Sequence, residues 1–288
     1  MTPLDSEWIA AHPLPVHGFG TDKNSRGRVL AIGGSARAPG ALRLTGEAAL
    51  RVGAGKVQLA TLASAALLLG LLTPEAGVIA LPEQDGELAD AGDRLRGPLG
   101  SADAVVVGPG MGDAAVAEAL ARHVVDGLGD DAALVLDAAA IGCTGALGGA
   151  LARFAGRLVL TPHGGEMAAL TGRATEEIAG DPGGAAQAAA AEHGAVVVLK
   201  SSETVIAAPD GAVLHYRGGG VGLATGGSGD VLAGAIAGLL ARGAPPPVAA
   251  GWGVWLHGHS GRRMAAVRGP IGFLARELLE EMPRLLPQ

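Results

Sequence analysis

From Arg28 onward, short β-branched and aliphatic runs alternate with Ala-rich stretches of helical length. Apolar runs of about 4–8 residues bounded by Gly or Pro read as buried strands. They predict strands over Arg28–Ile32, Lys56–Thr61, Gly77–Leu81, Ala104–Val107, Ala133–Asp137, Arg157–Thr161 and Ala195–Lys200. Helix-length segments lie between most of them, including Ala41–Val52, Asp113–Gly127 and Gly184–His193. Such alternation implies right-handed crossovers and a mostly parallel sheet covered on both faces. After Lys200 the pattern changes: Thr204–Ala208 and Ala212–Tyr216 flank Pro209-Asp210-Gly211, a hairpin signal. The rest reads as helical, over Ser228–Arg242, Val248–Val267 and Ile271–Leu285, with a first break at Ala244-Pro245-Pro246-Pro247.

Residues 1–23, weakly patterned and containing Pro and His, predict a leading helix or arm. No Pro/Ser-rich linker and no repeat divides the chain, so one α/β domain over 1–288 is expected.

Composition narrows the class. Hydrophobic residues make up 49% of the 288 and charged residues 17%, which excludes a disordered chain. The net charge of −7, without a basic stripe interleaved with aromatics, argues against nucleic-acid binding. The lone Cys143 cannot form an internal disulfide and fits a reducing compartment. The N-terminus lacks a signal-peptide pattern, and greasy stretches such as Val231–Leu240 are too short and glycine-broken to span a bilayer. A cytoplasmic, non-membrane protein is expected.

Ligands of open parallel sheets gather beyond the carboxyl ends of the strands. Glycine clusters fall there: Gly33-Gly34-Ser35, Gly108-Pro109-Gly110-Met111-Gly112 and Thr161-Pro162-His163-Gly164-Gly165-Glu166. Any one of them could be a mere tight turn. The strongest segment is Gly222-Leu223-Ala224-Thr225-Gly226-Gly227-Ser228-Gly229-Asp230-Val231-Leu232-Ala233-Gly234, a bare glycine turn leading directly into an apolar helix. Free amides at a helix N-terminus, with no Cβ in the way, form an anion site. Asp230 beside such a site is either a first-turn residue favoured by the helix dipole or a general base toward a substrate hydroxyl. The pairing of glycines with a carboxylate favours the base, acting as that oxygen attacks a phosphoryl group. The turn is neither a Walker loop nor a dinucleotide fingerprint.

These residues resemble the signature of the ADP/ATP-dependent NAD(P)H-hydrate dehydratases, which have a ribokinase-like fold. The resemblance runs from about Asn24 to the last helix. It includes Gly27–Ser35, Pro39-Gly40-Ala41, Arg51–Gly55, Gly108–Gly112, Leu136-Asp137-Ala138, Thr161-Pro162-His163, Gly165-Glu166 and Val198-Leu199-Lys200. It implies a three-layer αβα enzyme that repairs hydrated NADH or NADPH. ADP (or ATP), with Mg²⁺, phosphorylates the 6-hydroxyl of the hydrate. Phosphate then leaves as the ring nitrogen's electrons restore the dihydropyridine, giving NAD(P)H, AMP from ADP, and phosphate.

By the same resemblance, Ala41, Gly110, Gly112, His163 and Asp230 would contact the hydrate, with Asp230 catalytic. Lys200, Ser201, Ser202, Glu203, Thr204, Gly227, Ser228 and Gly229 would hold the nucleotide. An epimerase is implied as a functional partner, not fused to this chain, and a homo-oligomer is expected.

His163 also reads as a helix-entry residue, and Lys200 as the polar end of a strand, although only three lysines occur. Ala139 stands where the family carries a second acid, Gly164 replaces a proline, and Ser201-Ser202 followed by Glu203 replaces Gly-Ala. A carboxylate at Glu203 would lie near the nucleotide phosphates. His257 and His259 are spaced so as to leave opposite sides of a helix, so they read as structural and no protein-held metal is expected. Cys143 lacks an activating partner, and Glu277, Glu280 and Glu281 read as a solvated face. Two rivals remain: a small-alcohol kinase (thiazole, pyrimidine or sugar) of the same fold, and a non-catalytic nucleotide-binding regulator.

Overall fold

The computed structural model describes residues 1–18 and 20–287; Phe19, within the expected N-terminal arm, and Gln288 lie outside the described residues. The strands are β1 (Thr2–Pro3), β2 (Arg28–Ile32), β3 (Lys56–Leu62), β4 (Gly77–Leu81), β5 (Glu83–Gln84), β6 (Glu87–Leu88), β7 (Ala104–Val107), β8 (Ala133–Leu136), β9 (Leu158–Leu160), β10 (Ala195–Leu199), β11 (Glu203–Ala207) and β12 (Val213–Arg217). The helices are α1 (Ser6–Ala11), α2 (Ala41–Arg51), α3 (Ala63–Leu72), α4 (Arg96–Ser101), α5 (Ala114–Gly127), α6 (Thr144–Leu147), α7 (Gly164–Thr171), α8 (Thr175–Gly180), α9 (Pro182–His193), α10 (Ser228–Ala241), α11 (Pro246–Arg268) and α12 (Leu278–Leu285).

Ten strands form one sheet in the order β1-β12-β11-β10-β9-β8-β7-β2-β3-β4. From β10 to β4 every pairing is parallel, whereas β11 runs antiparallel to both of its neighbours. Successive residues of the central strands enter opposite cores, as the period of two requires. Ala31, Val106, Val135 and Val198 pack with α2, α10 and α11. Leu30, Val105, Leu136 and Val197 pack with α5 and α9 on the other face. The result is a three-layer αβα sandwich, as the alternation of runs predicted.

Helix α10 is the element that fixes the site. It is buried along nearly its whole length, from Val231 to Ala241. Its glycines permit close approach to α2: a Cβ on Gly234 would stand 2.1 Å from the Thr45 carbonyl oxygen, and one on Gly238 would stand 2.5 Å from Val52 Cγ2.

The predicted strands are trimmed where function begins. Asp137, Thr161 and Lys200 fall just beyond β8, β9 and β10, leaving only an isolated bridge between Lys200 and His163. The expected hairpin forms, with Glu203 opposite Arg217 and Ala207 opposite Val213. The last predicted helix begins only at Leu278, after a 3₁₀ turn at Ala275–Glu277; Pro270 and Gly272, the latter at φ +102°, keep the preceding chain out of the helix. The N-terminal arm carries both a strand and a helix. β1 pairs with β12, Asp5 caps α1, and Trp252 Nε1 donates to the His12 carbonyl at 2.7 Å.

Two further elements carried no sequence signal. α3 is apolar around most of its circumference and so has no helical period, and the β5–β6 hairpin is too short to show alternation. Among the described residues no helix is long and apolar enough to cross a membrane.

Candidate functional site

The sheet changes direction of winding between β2 and β7, the place where ligands of open parallel sheets bind. Gly34 N–H donates to the Pro109 carbonyl at 2.8 Å, locking the turn after β2 onto the turn after β7. Gly110, at φ +71°, comes so close to α2 that a Cβ would stand 2.6 Å from the Ala41 Cβ. Ala41 and Gly110 are therefore packed directly against each other. Gly112 faces a different neighbour, the Glu87 carboxylate, whose Oε1 would be 3.3 Å from an added Cβ.

The carboxyl ends of β8, β9 and β10 converge on one lysine. Lys200 Nζ donates to Asp137 Oδ1 at 3.1 Å and lies 3.7 Å from Glu166 Oε2. Thr161 Oγ1 donates to the same Asp137 oxygen at 2.6 Å. Burial draws the ammonium's pKa down, but Asp137, Glu166 and Asp230 outweigh it and hold Lys200 above the ordinary lysine value. A Cβ on Gly229 would lie 3.5 Å from this ammonium, so the cation sits against bare main chain.

Asp230, in the first turn of α10, is the carboxylate the network leaves poised. Burial, then the charge of Asp137, push its pKa up to about 7, and Lys200 partly offsets them. A carboxyl group titrating near neutrality is suited to take up a proton during turnover. Around it the main chain is open. Gly227 is left-handed at φ +88°, and Ser228 N–H turns back to the Thr225 carbonyl at 3.2 Å. Among the described residues the amides of Gly226, Gly227, Gly229 and Asp230 have no intramolecular acceptor. The free amides at this helix end are thus interrupted at Ser228, whose own N–H is spent on Thr225.

A cavity of about 760 Å³ opens beside this helix end. Lys200, Ser201, Ser202, Thr204, Ser228 and Gly229 line its polar end together with His163. Tyr216, Val221, Leu223, Leu232 and Val254 add apolar lining suited to a flat aromatic base. Six of the eight residues expected to hold the nucleotide thus share one cavity. Gly227 does not line it, and faces Leu44 and Ala275 instead.

Glu203 corrects the expectation placed on it. It is absent from the cavity wall because strand alternation puts it on the sheet face opposite Thr204, where its carboxylate lies 2.7 Å from His215 Nε2 and 3.5 Å from Arg217 Nε.

His163 takes the helix-entry role left open for it. Its Nδ1 accepts from the amides of Gly165 and Glu166, capping α7, while Glu166 Oε2 accepts from the His163 amide at 2.8 Å. The ring also lines the cavity. Sequence reasoning missed Asp137, Glu166 and His257 as site residues. His257, set aside as structural, lines the cavity with Nε2 2.9 Å from Ser228 Oγ. Asp137, Glu166 and His257 come from three separate elements, and no spacing along the chain reports their convergence.

Cys143 is buried with its thiol pushed up to about 11, chiefly by burial, so it is no nucleophile. Glu281 also departs from the solvated face expected: it is buried at 7% exposure and paired with Arg263 and Arg284.

A mostly parallel αβα sheet of the ribokinase-like class carries here a helix end with unpaired amides and an adjacent carboxylate, an arrangement suited to a phosphate group. Comparison with known proteins narrows this. The sequence profile of the NAD(P)H-hydrate dehydratases matches residues 29–284, and the chain belongs to that family.

The ADP-dependent (S)-NAD(P)H-hydrate dehydratase of Xanthomonas campestris is 46% identical over 280 residues, covering 96% of this chain and 93% of that protein. The ADP/ATP-dependent NAD(P)H-hydrate dehydratase of Bacillus subtilis, co-crystallised with ATP/Mg²⁺, superposes with a TM-score of 0.82 at 29% identity, covering 98% and 96% of the two chains. The bifunctional NAD(P)H-hydrate repair enzyme Nnr of Moorella thermoacetica is 39% identical, and the chain, 98% covered, spans 53% of its length.

Proposed function

We propose that this enzyme uses ADP to dehydrate the (S) form of hydrated NADH or NADPH, with Asp230 as general base. The observation that carries the assignment of roles is the placement of Asp230. Its pKa is pushed up to about 7 beside the unpaired amides at the start of α10, the helix end whose Ser228 and Gly229 line the nucleotide-sized cavity.

The hydrate lies along Ala41, Gly110, Gly112 and His163, and ADP lies in the cavity with its phosphates toward Lys200, Ser228 and Gly229. Asp230 accepts the 6-hydroxyl proton as that oxygen attacks the terminal phosphorus, and AMP departs. The amides of Gly227, Gly229 and Asp230 stabilise the charge on the moving phosphoryl group. The ring nitrogen's electron pair then expels phosphate from the phosphorylated carbon. Loss of a proton from the adjacent carbon restores the dihydropyridine.

Among the described residues no three ligating side chains converge into a preformed metal cage. The carboxylates around Lys200 are hard oxygen donors, which suits Mg²⁺ carried mainly by phosphates and water. The nucleotide's own phosphates and water would hold it, and when bound it would neutralise phosphate charge.

The test is to incubate the protein with hydrated NADH and ADP and follow recovery of dihydronicotinamide absorbance. Phosphorylation of a simple alcohol without recovery would favour the kinase alternative. The 46% identity to a hydrate dehydratase weighs against that outcome.

An epimerase that interconverts the hydrate's two forms is the expected functional partner, in keeping with the bifunctional relatives. The setting we propose is the cytoplasm. Self-association is supported by α3, whose Leu67, Leu68, Leu71 and Leu72 are exposed on an uncharged helix beside edge strand β4. Light scattering on Leu67→Glu/Leu71→Glu would show a lower mass than the parent.

A further inference from the structure

We propose that His257 is a positioning residue: it donates its Nε2–H to the Ser228 oxygen and so makes the Ser228 hydroxyl a donor to a nucleotide phosphate. The proposal rests on the nucleotide being held in the cavity described above.

Ser228 occupies the first turn of α10, beside Gly229 and against the same cavity. Its side chain is buried at 6% exposure. Its own amide is already committed to the Thr225 carbonyl, so only the hydroxyl can serve an incoming anion. That hydroxyl has one hydrogen and an adaptable rotor, and its partner decides where the hydrogen goes.

The partner is His257, 2.9 Å away through Nε2, carried by the long buried helix α11. The ring is held neutral with a pKa of about 4, first by burial and further by the Lys200 charge, although a contact with the Ser228 backbone opposes them. A neutral imidazole carries one N–H.

Two arrangements are therefore open. If Nδ1 holds the hydrogen, Ser228 must donate to Nε2, and only oxygen lone pairs face the phosphate, which repels it. If Nε2 holds the hydrogen, Ser228 accepts from the ring and its own hydrogen is free to point at the phosphate. Among the described residues Nδ1 has no protein partner that would pin the hydrogen there. A bound phosphate thus selects the Nε2–H form, and the ring in turn fixes the Ser228 rotor. Gly258 keeps this geometry in place: a Cβ there would lie 2.3 Å from Tyr216, so α11 lies directly against the hairpin wall of the cavity.

The experiment measures ADP and adenosine binding to the full chain by calorimetry, for the parent, His257→Leu, Ser228→Ala, their double variant and His257→Gln. A hydrogen bond to a charged phosphate gives an expected loss of roughly 10- to 100-fold in ADP affinity for each single variant. Adenosine, which lacks the phosphates, should change by less than about twofold. The double variant should bind ADP no more than about twofold worse than Ser228→Ala, since both substitutions remove one device. His257→Gln, whose amide can reach the same oxygen, should recover ADP affinity to within about threefold of the parent. The KM for ADP should rise in step while kcat changes little, as expected for an interaction made equally in ground and transition states.

ADP binding unchanged in His257→Leu, multiplied losses in the double variant, adenosine falling in parallel with ADP, or no recovery with glutamine would each overturn the proposal. If His257→Leu does not fold, loss in Ser228→Ala with retention in His257→Gln decides the matter. A parent that binds ADP with these sensitivities but never dehydrates the hydrate would sink the proposed reaction and leave this inference standing.

Discussion

Lys200 Nζ and Asp137 Oδ1 lie 3.1 Å apart, and the balance of that pair sets the charge that Asp230 feels across the site. Asp137 makes it harder to ionise Asp230, whereas Lys200 makes it easier. The two partners should therefore shift the pH profile in opposite directions. In the parent, kcat/KM for the hydrate should fall as pH drops below about 7, because the base must be deprotonated in the free enzyme. Asp137→Asn should move this acid limb to lower pH, and Lys200→Met should move it higher. Initial rates across pH 5–9 check both; a limb that stays put in both variants would remove Asp230 from the profile.

Asp230→Asn should lower turnover by roughly 10²- to 10⁴-fold, the usual contribution of a positioned base. ADP affinity should stay within about threefold, since the amides and Lys200 are untouched. Comparable turnover in parent and variant would refute the base.

The same substitution has a signature in stability. The folded-state pKa of Asp230 lies above its ordinary value, so the folded protein binds the proton more tightly than the unfolded chain. Stability from this group is present at acid pH and is lost as pH rises from about 4 through about 7. Asp230→Asn, permanently neutral, should melt above the parent at pH 8 and close to it near pH 4. Calorimetric scans at the two pH values test the sign.

Gly234→Ala should destabilise the protein by about 1–3 kcal/mol, the usual cost of overpacking. The added methyl meets the Thr45 carbonyl on α2 and pushes the helices apart. Because α10 carries Asp230 and Gly229, activity should fall too. A thermal melt alongside an activity assay checks the coupling; Gly226→Ala, with nothing within 4 Å of the added Cβ and no positive φ, serves as the control for the melt.

Chelation of divalent cations should stop turnover, with recovery on adding Mg²⁺, while the melting temperature of the nucleotide-free protein stays unchanged. The fold closes around hydrocarbon, and among the described residues no set of side chains converges on a structural metal. A melt that drops on chelation would contradict this.

Much of the architecture was legible because it is local. The period of two in Val29 to Ile32 or Val105 to Val107 feeds both cores at once, so a strand covered on both faces announces itself as an unbroken apolar run. The turn from Gly226 to Asp230 was legible for a related reason. A helix end that must leave its amides bare needs residues without a Cβ, and they have to be consecutive in the chain. α3 was not legible, because a helix apolar on most sides has no period to read.

The sequence alone thus determined the layered sheet, the hairpin, the helix end and the identity of the carboxylate in it, all of which depend on neighbours in the chain. Tertiary structure decided what surrounds that carboxylate. It turned Glu203 away to His215 and Arg217, brought Asp137 and Glu166 to Lys200, and placed His257 against Ser228. Electrostatic and hydrogen-bond partners are chosen by distance in space, and residues 63 positions apart, as Asp137 and Lys200 are, leave no periodic trace of their meeting.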